Sequence, residues 1–288
     1  MLGNLIGVLF DGVAYGSLLF VISIGLSVTM GLMNFVNLAH GAFAMVGGYA
    51  LVLMMTRFGV PFLAALPVAF VAAAIAGAVL ERLLYRRLYR ASHLDQVLFS
   101  IGLVFMSIAA ATKLFGSQQQ PVALPAFLRG QVHVLRLDLG SYRLFLIGIV
   151  IIITLALTWL IERTRFGAEI RASVDNQQAS VGLGINVYRV FSLTFALGSG
   201  LAGLGGALGI DVLGLDPTFP LKYMVYFLLV VAVGGAGTIK GPLLAALILG
   251  VFDVAGKYYV PQIGAFIIYF VMVAMLLAFP GGVLGKRG

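Results

Sequence analysis

The chain has 288 residues, of which 61% are hydrophobic and only 10% charged, and its mean hydropathy is +1.10. Soluble domains carry about 25% charged residues, so this composition cannot cover a globular surface with polar groups and calls for lipid as solvent. The formal charge of +8 suits cytoplasmic loops better than nucleic acid, since no basic stripe is interleaved with exposed aromatics, and the lack of cysteine excludes disulfides, thiolate metal sites and a thiol nucleophile.

A spanning helix needs about 20 apolar residues. Apolar runs at 5–30, 38–55, 62–80, 97–115, 144–161, 190–210, 223–233, 242–254 and 263–279 predict an all-α transmembrane bundle of about eight or nine spans. The whole chain, 1–288, reads as one transmembrane domain with no room for a soluble one. The first run has no basic stretch before it and reads as a retained helix rather than a cleaved signal.

The string MGLMNFVNLAHG (30–41) interrupts the first two runs. Asn34, Asn37 and His40 are spaced by three and would share one helix face. Irregular backbone at membrane depth is tolerated only beside protein or a watery cavity. These residues therefore either line a solute path, with Gly41, Gly47 and Gly48 as flexible support, or make interhelical hydrogen bonds.

The third run leads into ERLLYRRLYRASHLDQ (81–96), a loop rich in arginine. A second such loop, 162–189, holds Arg163, Arg165, Arg171 and Arg189. Both are expected in the cytoplasm, together with Lys286 and Arg287 near the C-terminus. The intervening loop, 116–142, is then periplasmic. The side of the N-terminus stays open.

Within 162–189, residues 168–181 read as a helix closed by Gly182. Ile170, Val174, Val181 and Ile185 form a narrow apolar stripe, opposed by Glu169, Arg171, Asp175, Asn176 and Gln178. Such a helix lies on the membrane surface, packs on its own protein or docks into a partner.

In the sixth run, Gly198, Ala202 and Gly206, and likewise Ser199, Gly203 and Ala207, recur every four residues. That pattern favours close helix packing over a hinge. The seventh and eighth runs are short and joined by GGAGTIKGP (234–242), which contains Gly235 and Gly237 and suggests a broken or re-entrant helix. Asp11 reads as an interfacial or capping residue. Asp253 and Lys257 read as a surface pair at a helix end. No HExxH, Walker A string or paired carboxylates occur, so the chain is expected to be no enzyme, to hold no metal or cofactor and to hydrolyse no ATP by itself.

Five strings carry a resemblance: NFVNLAHGAFAMVGGY (34–49), LERLLYRRLYR (80–90), RTRFGAEIRASVDNQQASVGLGINVYRV (163–190), VVAVGGAGTIKGPLLAALILG (230–250) and FPGGVLGKR (279–287). In them the chain resembles the permease subunits of ABC importers of the branched-chain amino-acid (LivH-type) family, over nearly its whole length. The resemblance implies a type II importer-like bundle in the bacterial inner membrane. It also implies a homologous second permease, two cytoplasmic ATP-binding subunits and a periplasmic solute-binding protein as partners.

By the same resemblance, 162–189 is the ATPase-coupling loop, with Glu169, Ile170, Arg171, Ala172, Val174, Asp175, Ala179, Val181, Gly184, Ile185 and Asn186 at the contact. Ala172, Ala179, Gly184, Ile185 and Asn186 fall on the family's A…A…GIN pattern. Asn34, Asn37, His40, Gly41, Gly47, Gly48, Gly235 and Gly237 would border the solute path. The scarcity of intramembrane ionisable residues points to a net-neutral or zwitterionic solute. The contrasting expectation is an ATP-independent secondary transporter or channel.

Overall fold

The computed structural model describes residues 2–33, 35, 37–89, 91–134, 137–279 and 282–283, so Asn34, Arg90, Arg136, Lys286 and Arg287 lie outside the described residues. Each predicted apolar run falls in a helix: α1 (Leu2–Met33), α2 (His40–Phe58), α3 (Phe62–Leu80), α5 (His93–Phe115), α6 (Ser141–Arg163), α9 (Val187–Leu213), α10 (Phe219–Gly234), α11 (Lys240–Tyr259) and α12 (Gly264–Ala278). Seven of them are long and apolar enough to cross a membrane, while α10 and α12 have 16 and 15 residues. The eighth run is not a short re-entrant segment. It takes in Lys240 and runs on to Tyr259 as the 20-residue helix α11.

Three further corrections concern the loops. The 81–96 loop is helical at its start: α3 continues through a π-helical turn, Glu81–Tyr85, and the short α4, Arg86–Leu88. The single helix expected over 168–181 is two, α7 (Arg165–Asp175) and α8 (Gln177–Gly182). They part at Asn176, whose backbone is extended so that its Oδ1 accepts from the Ala179 N–H at 2.9 Å and caps α8. The far loop also carries an antiparallel hairpin, β1 (Gln131–Val134) with β2 (Leu137–Gly140), pairing His133 with Asp138.

Helices α1 and α9 form the centre of the bundle, and α2, α3 and α11 pack on them. Small residues make this possible. A Cβ at Gly47 would overlap the Gly203 backbone, and one at Gly206 would overlap Ala44. Both small-residue rows of α9 are buried within an unbroken 27-residue helix, so they serve packing. The outward faces of α3, α6 and α12 expose Ile75, Ile152, Trp159 and Phe270, as lipid-facing surfaces do.

The chain's sidedness follows from its cross-connections. Asp11 near the start of α1 pairs with Arg143 near the start of α6. The Gln120 N–H donates to Leu215 O at 2.8 Å, which puts the stretch that follows α5 at the far end of α9. Arg86 reaches Ser192 near the start of α9 at 2.6 Å, so both arginine-rich segments share one face, the basic face. The chain enters α1 from the opposite face. It returns to the basic face after α12, where the Val283 N–H donates to Val233 O at 2.8 Å.

Candidate functional site

On the basic face, the Thr164 hydroxyl caps α7 by accepting from the Gly167 N–H at 3.1 Å, and the Arg171 guanidinium donates to Ile161 O at the end of α6. Ile170 is buried with Val187, Val190 and Phe191, which anchors α7 to the base of α9. Gly184, at φ +83°, turns the chain out of α8 in the left-handed region. Asn186 then caps α9, its Oδ1 accepting from the Arg189 N–H at 3.0 Å. The GIN string is thus a turn, an anchor and a cap.

The apolar stripe is split by this arrangement. Ile170 faces inward and Ile185 is half-buried, whereas Val174, Val181 and Leu183 are exposed, Leu183 at 80%. Glu169, Arg171, Asp175, Ala179, Gly184 and Asn186 are exposed beside them, and Ala172 is half-buried. Leu183 was not among the residues expected here. Its signal is a large apolar side chain in a Gly-Leu-Gly turn with no helical partner. Between this loop and the end of the third span lies a groove of about 1190 Å³, lined among others by Arg86, Tyr89, Val174, Val181 and Ile185. The Arg86 guanidinium sits 5.7 Å from the Tyr188 ring centroid.

Beneath the groove, the Glu81 side chain is completely buried. Its Oε1 accepts from Arg86 Nε at 3.0 Å and from the Tyr89 hydroxyl at 2.7 Å, and its Oε2 accepts from the Ser192 hydroxyl. Burial, and then the Glu81 carboxylate, push the Tyr89 phenol well above its ordinary pKa. In the sequence Glu81 reads as one of the charges of the 81–96 loop. The sign of burial was its position directly after a 19-residue apolar helix.

The break between α1 and α2 turns back into the bundle. The Asn37 Oδ1 accepts from the Ala39 N–H at 3.0 Å and the Tyr85 hydroxyl at 2.9 Å. His40 Nε2 lies 2.7 Å from Ile22 O, and since a carbonyl only accepts, Nε2 carries the proton. Leu26, Asn37, His40, Gly41, Met224 and Phe227 border a seam with no room for a water molecule. The structure thus brings Asn37, His40 and Gly41 together. Gly47 and Gly48 pack against Gly203 and Leu215 further along α2. Gly235 and Gly237 lie at the basic end, both at positive φ, where the Gly237 N–H donates to Ser27 O at 2.9 Å. Asn34 is outside the described residues.

Asp253 is not a surface residue: its side chain is 1% exposed and accepts from Lys257 Nζ at 2.6 Å. On the opposite face, Asp216 accepts from the Thr218 N–H at 2.8 Å and from Lys222. Burial raises the Asp216 carboxyl, but the hydrogen bonds from Lys222 and Thr218 outweigh it and hold its pKa below the ordinary value.

Residues 8–276 match the family described as branched-chain amino acid transport system, permease component. The chain is 30% identical to the high-affinity branched-chain amino acid transport system permease protein LivH of Escherichia coli K12, over 96% of this chain and 94% of that protein. It is 27% identical to BraD of Pseudomonas aeruginosa, a permease protein of the same description, over 96% and 95%. It is 25% identical to a probable LivH of Methanocaldococcus jannaschii, over 96% and 92%. No solved structure matches the chain. A helical membrane bundle that matches one permease family from the first span to the last is a member of it: the chain belongs to the permease components of branched-chain amino acid transport systems.

Proposed function

We propose that this permease forms one half of the membrane passage of an ATP-driven importer for branched-chain or related zwitterionic amino acids. Its basic face is cytoplasmic, with the C-terminus, and meets two ATP-binding subunits through the 162–189 loop. Its opposite face receives solute from a periplasmic binding protein, and a homologous permease supplies the second half. The observation that carries the reading is the loop's division of labour. Ile170 clamps α7 to α9 while Val174, Val181 and Leu183 stand exposed on the same short segment. Apolar side chains left exposed beside a large groove suit a partner surface.

The seam at Asn37, His40 and Gly41 is the closed solute path. Gly47 and Gly48 let α2 lie close to its neighbours, and Gly235 and Gly237 shape the path's basic end. A zwitterion needs little net counter-charge along such a route. The buried carboxylates of Glu81 and Asp253 are each paired with a basic side chain and leave no net charge.

Affinity purification of the tagged permease from its native membrane tests this directly. ATP-binding subunits should co-purify with the wild type and be lost from Val174→Asp. Their absence from the wild-type preparation would overturn the reading.

A further inference from the structure

We propose that Glu81 is a positioning residue that ties the 162–189 loop to the α1–α2 break, so that movement of the loop reaches the solute path. The inference rests on the importer reading above.

The tie is continuous in hydrogen bonds and packing. At its outer end, the cluster of Ile170, Val187, Val190 and Phe191 makes α7 and the base of α9 one body. Ser192, in that same first stretch of α9, donates to the Glu81 carboxylate and accepts from Arg86 Nη2 at 2.6 Å. Glu81, Arg86 and Ser192 therefore close a triangle between α9 and the end of the third span.

The triangle sits on the π-helical turn, which closes with the Arg86 N–H on Glu81 O. Such turns insert an extra residue into a helix and are enriched at functional sites. The turn carries Tyr85, a fully buried ring wedged between Phe35, Phe99 and Phe195 at centroid distances of 5.2, 5.3 and 4.8 Å. Its hydroxyl ends the chain on Asn37, which holds the Ala39 N–H at the entry to α2.

A buried carboxylate is stable only while its partners remain in place. The triangle is thus either made or broken and does not deform smoothly, which is what a transmitting element requires.

Two measurements decide it. Hydrogen–deuterium exchange of the purified permease reads the tie without partners or solute. Ser192→Ala should raise exchange in the peptide covering 37–41, and Ser192→Thr, which keeps the hydroxyl, should not. Unchanged exchange there in Ser192→Ala overturns the tie.

The complete importer in proteoliposomes, with labelled leucine, reads its use. Glu81→Gln, Ser192→Ala and Tyr85→Phe should keep ATP hydrolysis while solute carried per ATP falls about tenfold, as expected for a lost coupling of ordinary size. Hydrolysis and uptake falling by the same factor, or an unchanged ratio, contradicts the proposal. A wild-type complex with no ATP-dependent uptake refutes the importer reading instead, and exchange still decides the tie.

Discussion

Ile170 on α7 is buried in the same cluster as Phe191 near the base of α9, while Val174, one turn further along α7, is 47% exposed. The two residues belong to one apolar stripe in the sequence and have opposite tasks in the fold. Ile170→Ala should cost about 2–5 kcal/mol, the range for emptying a packed aliphatic site. It should loosen the loop, seen as earlier proteolysis at 164–186. Val174→Asp should leave the melting temperature unchanged and abolish association with ATP-binding subunits. Normal association of Val174→Asp would remove that residue from the docking surface.

The close crossings around α9 predict a steep steric response. Gly206→Val drives a branched side chain into the Ala44 backbone, and overpacking costs about 1–3 kcal/mol even where a core can adjust. Its melting temperature in detergent should fall clearly. Gly102 on α5 has nothing within 4 Å of an added Cβ, so Gly102→Ala should melt no lower than the wild type. Equal behaviour of the two variants would contradict the packing described for α9.

Much of this was legible in the sequence. The nine apolar runs mark the helices because lipid leaves the backbone no alternative. The two arginine-rich segments mark one face. Three features needed the third dimension. Glu81 begins a charged string, and only the overshoot of the third span shows that it is buried. Asp253 and Lys257 look like a surface pair, but the neighbouring helices cover the carboxylate. The hairpin had a local sign, the alternation in QVHVLRLDLG, which is obscured by the apolar content around it.

Asp216 gives a pH signature on the opposite face. Its pKa is depressed in the fold, so its contribution to stability is present above the ordinary carboxylate range and is lost as pH falls through its folded value. Asp216→Asn should melt below the wild type at neutral pH, and the gap should close as the medium is acidified below that range. A gap that persists unchanged into strong acid would assign the effect to something other than this charge.

The seam at Asn37 and His40 should open only in transport. Phe227 is buried against it, so Phe227→Cys, in a chain with no other cysteine, should resist a water-soluble maleimide in the isolated permease. It should react during turnover of the complete importer. Protection in every state would leave Asn37 and His40 as packing residues alone.

The measurement that bears most directly on the whole account is uptake of labelled leucine into proteoliposomes. They would contain this permease, its homologous partner, the ATP-binding subunits and the solute-binding protein. Accumulation against a gradient is predicted when ATP and binding protein are supplied together, and loss of accumulation when either is withheld. Leucine entry by this permease without ATP and without binding protein would contradict the account.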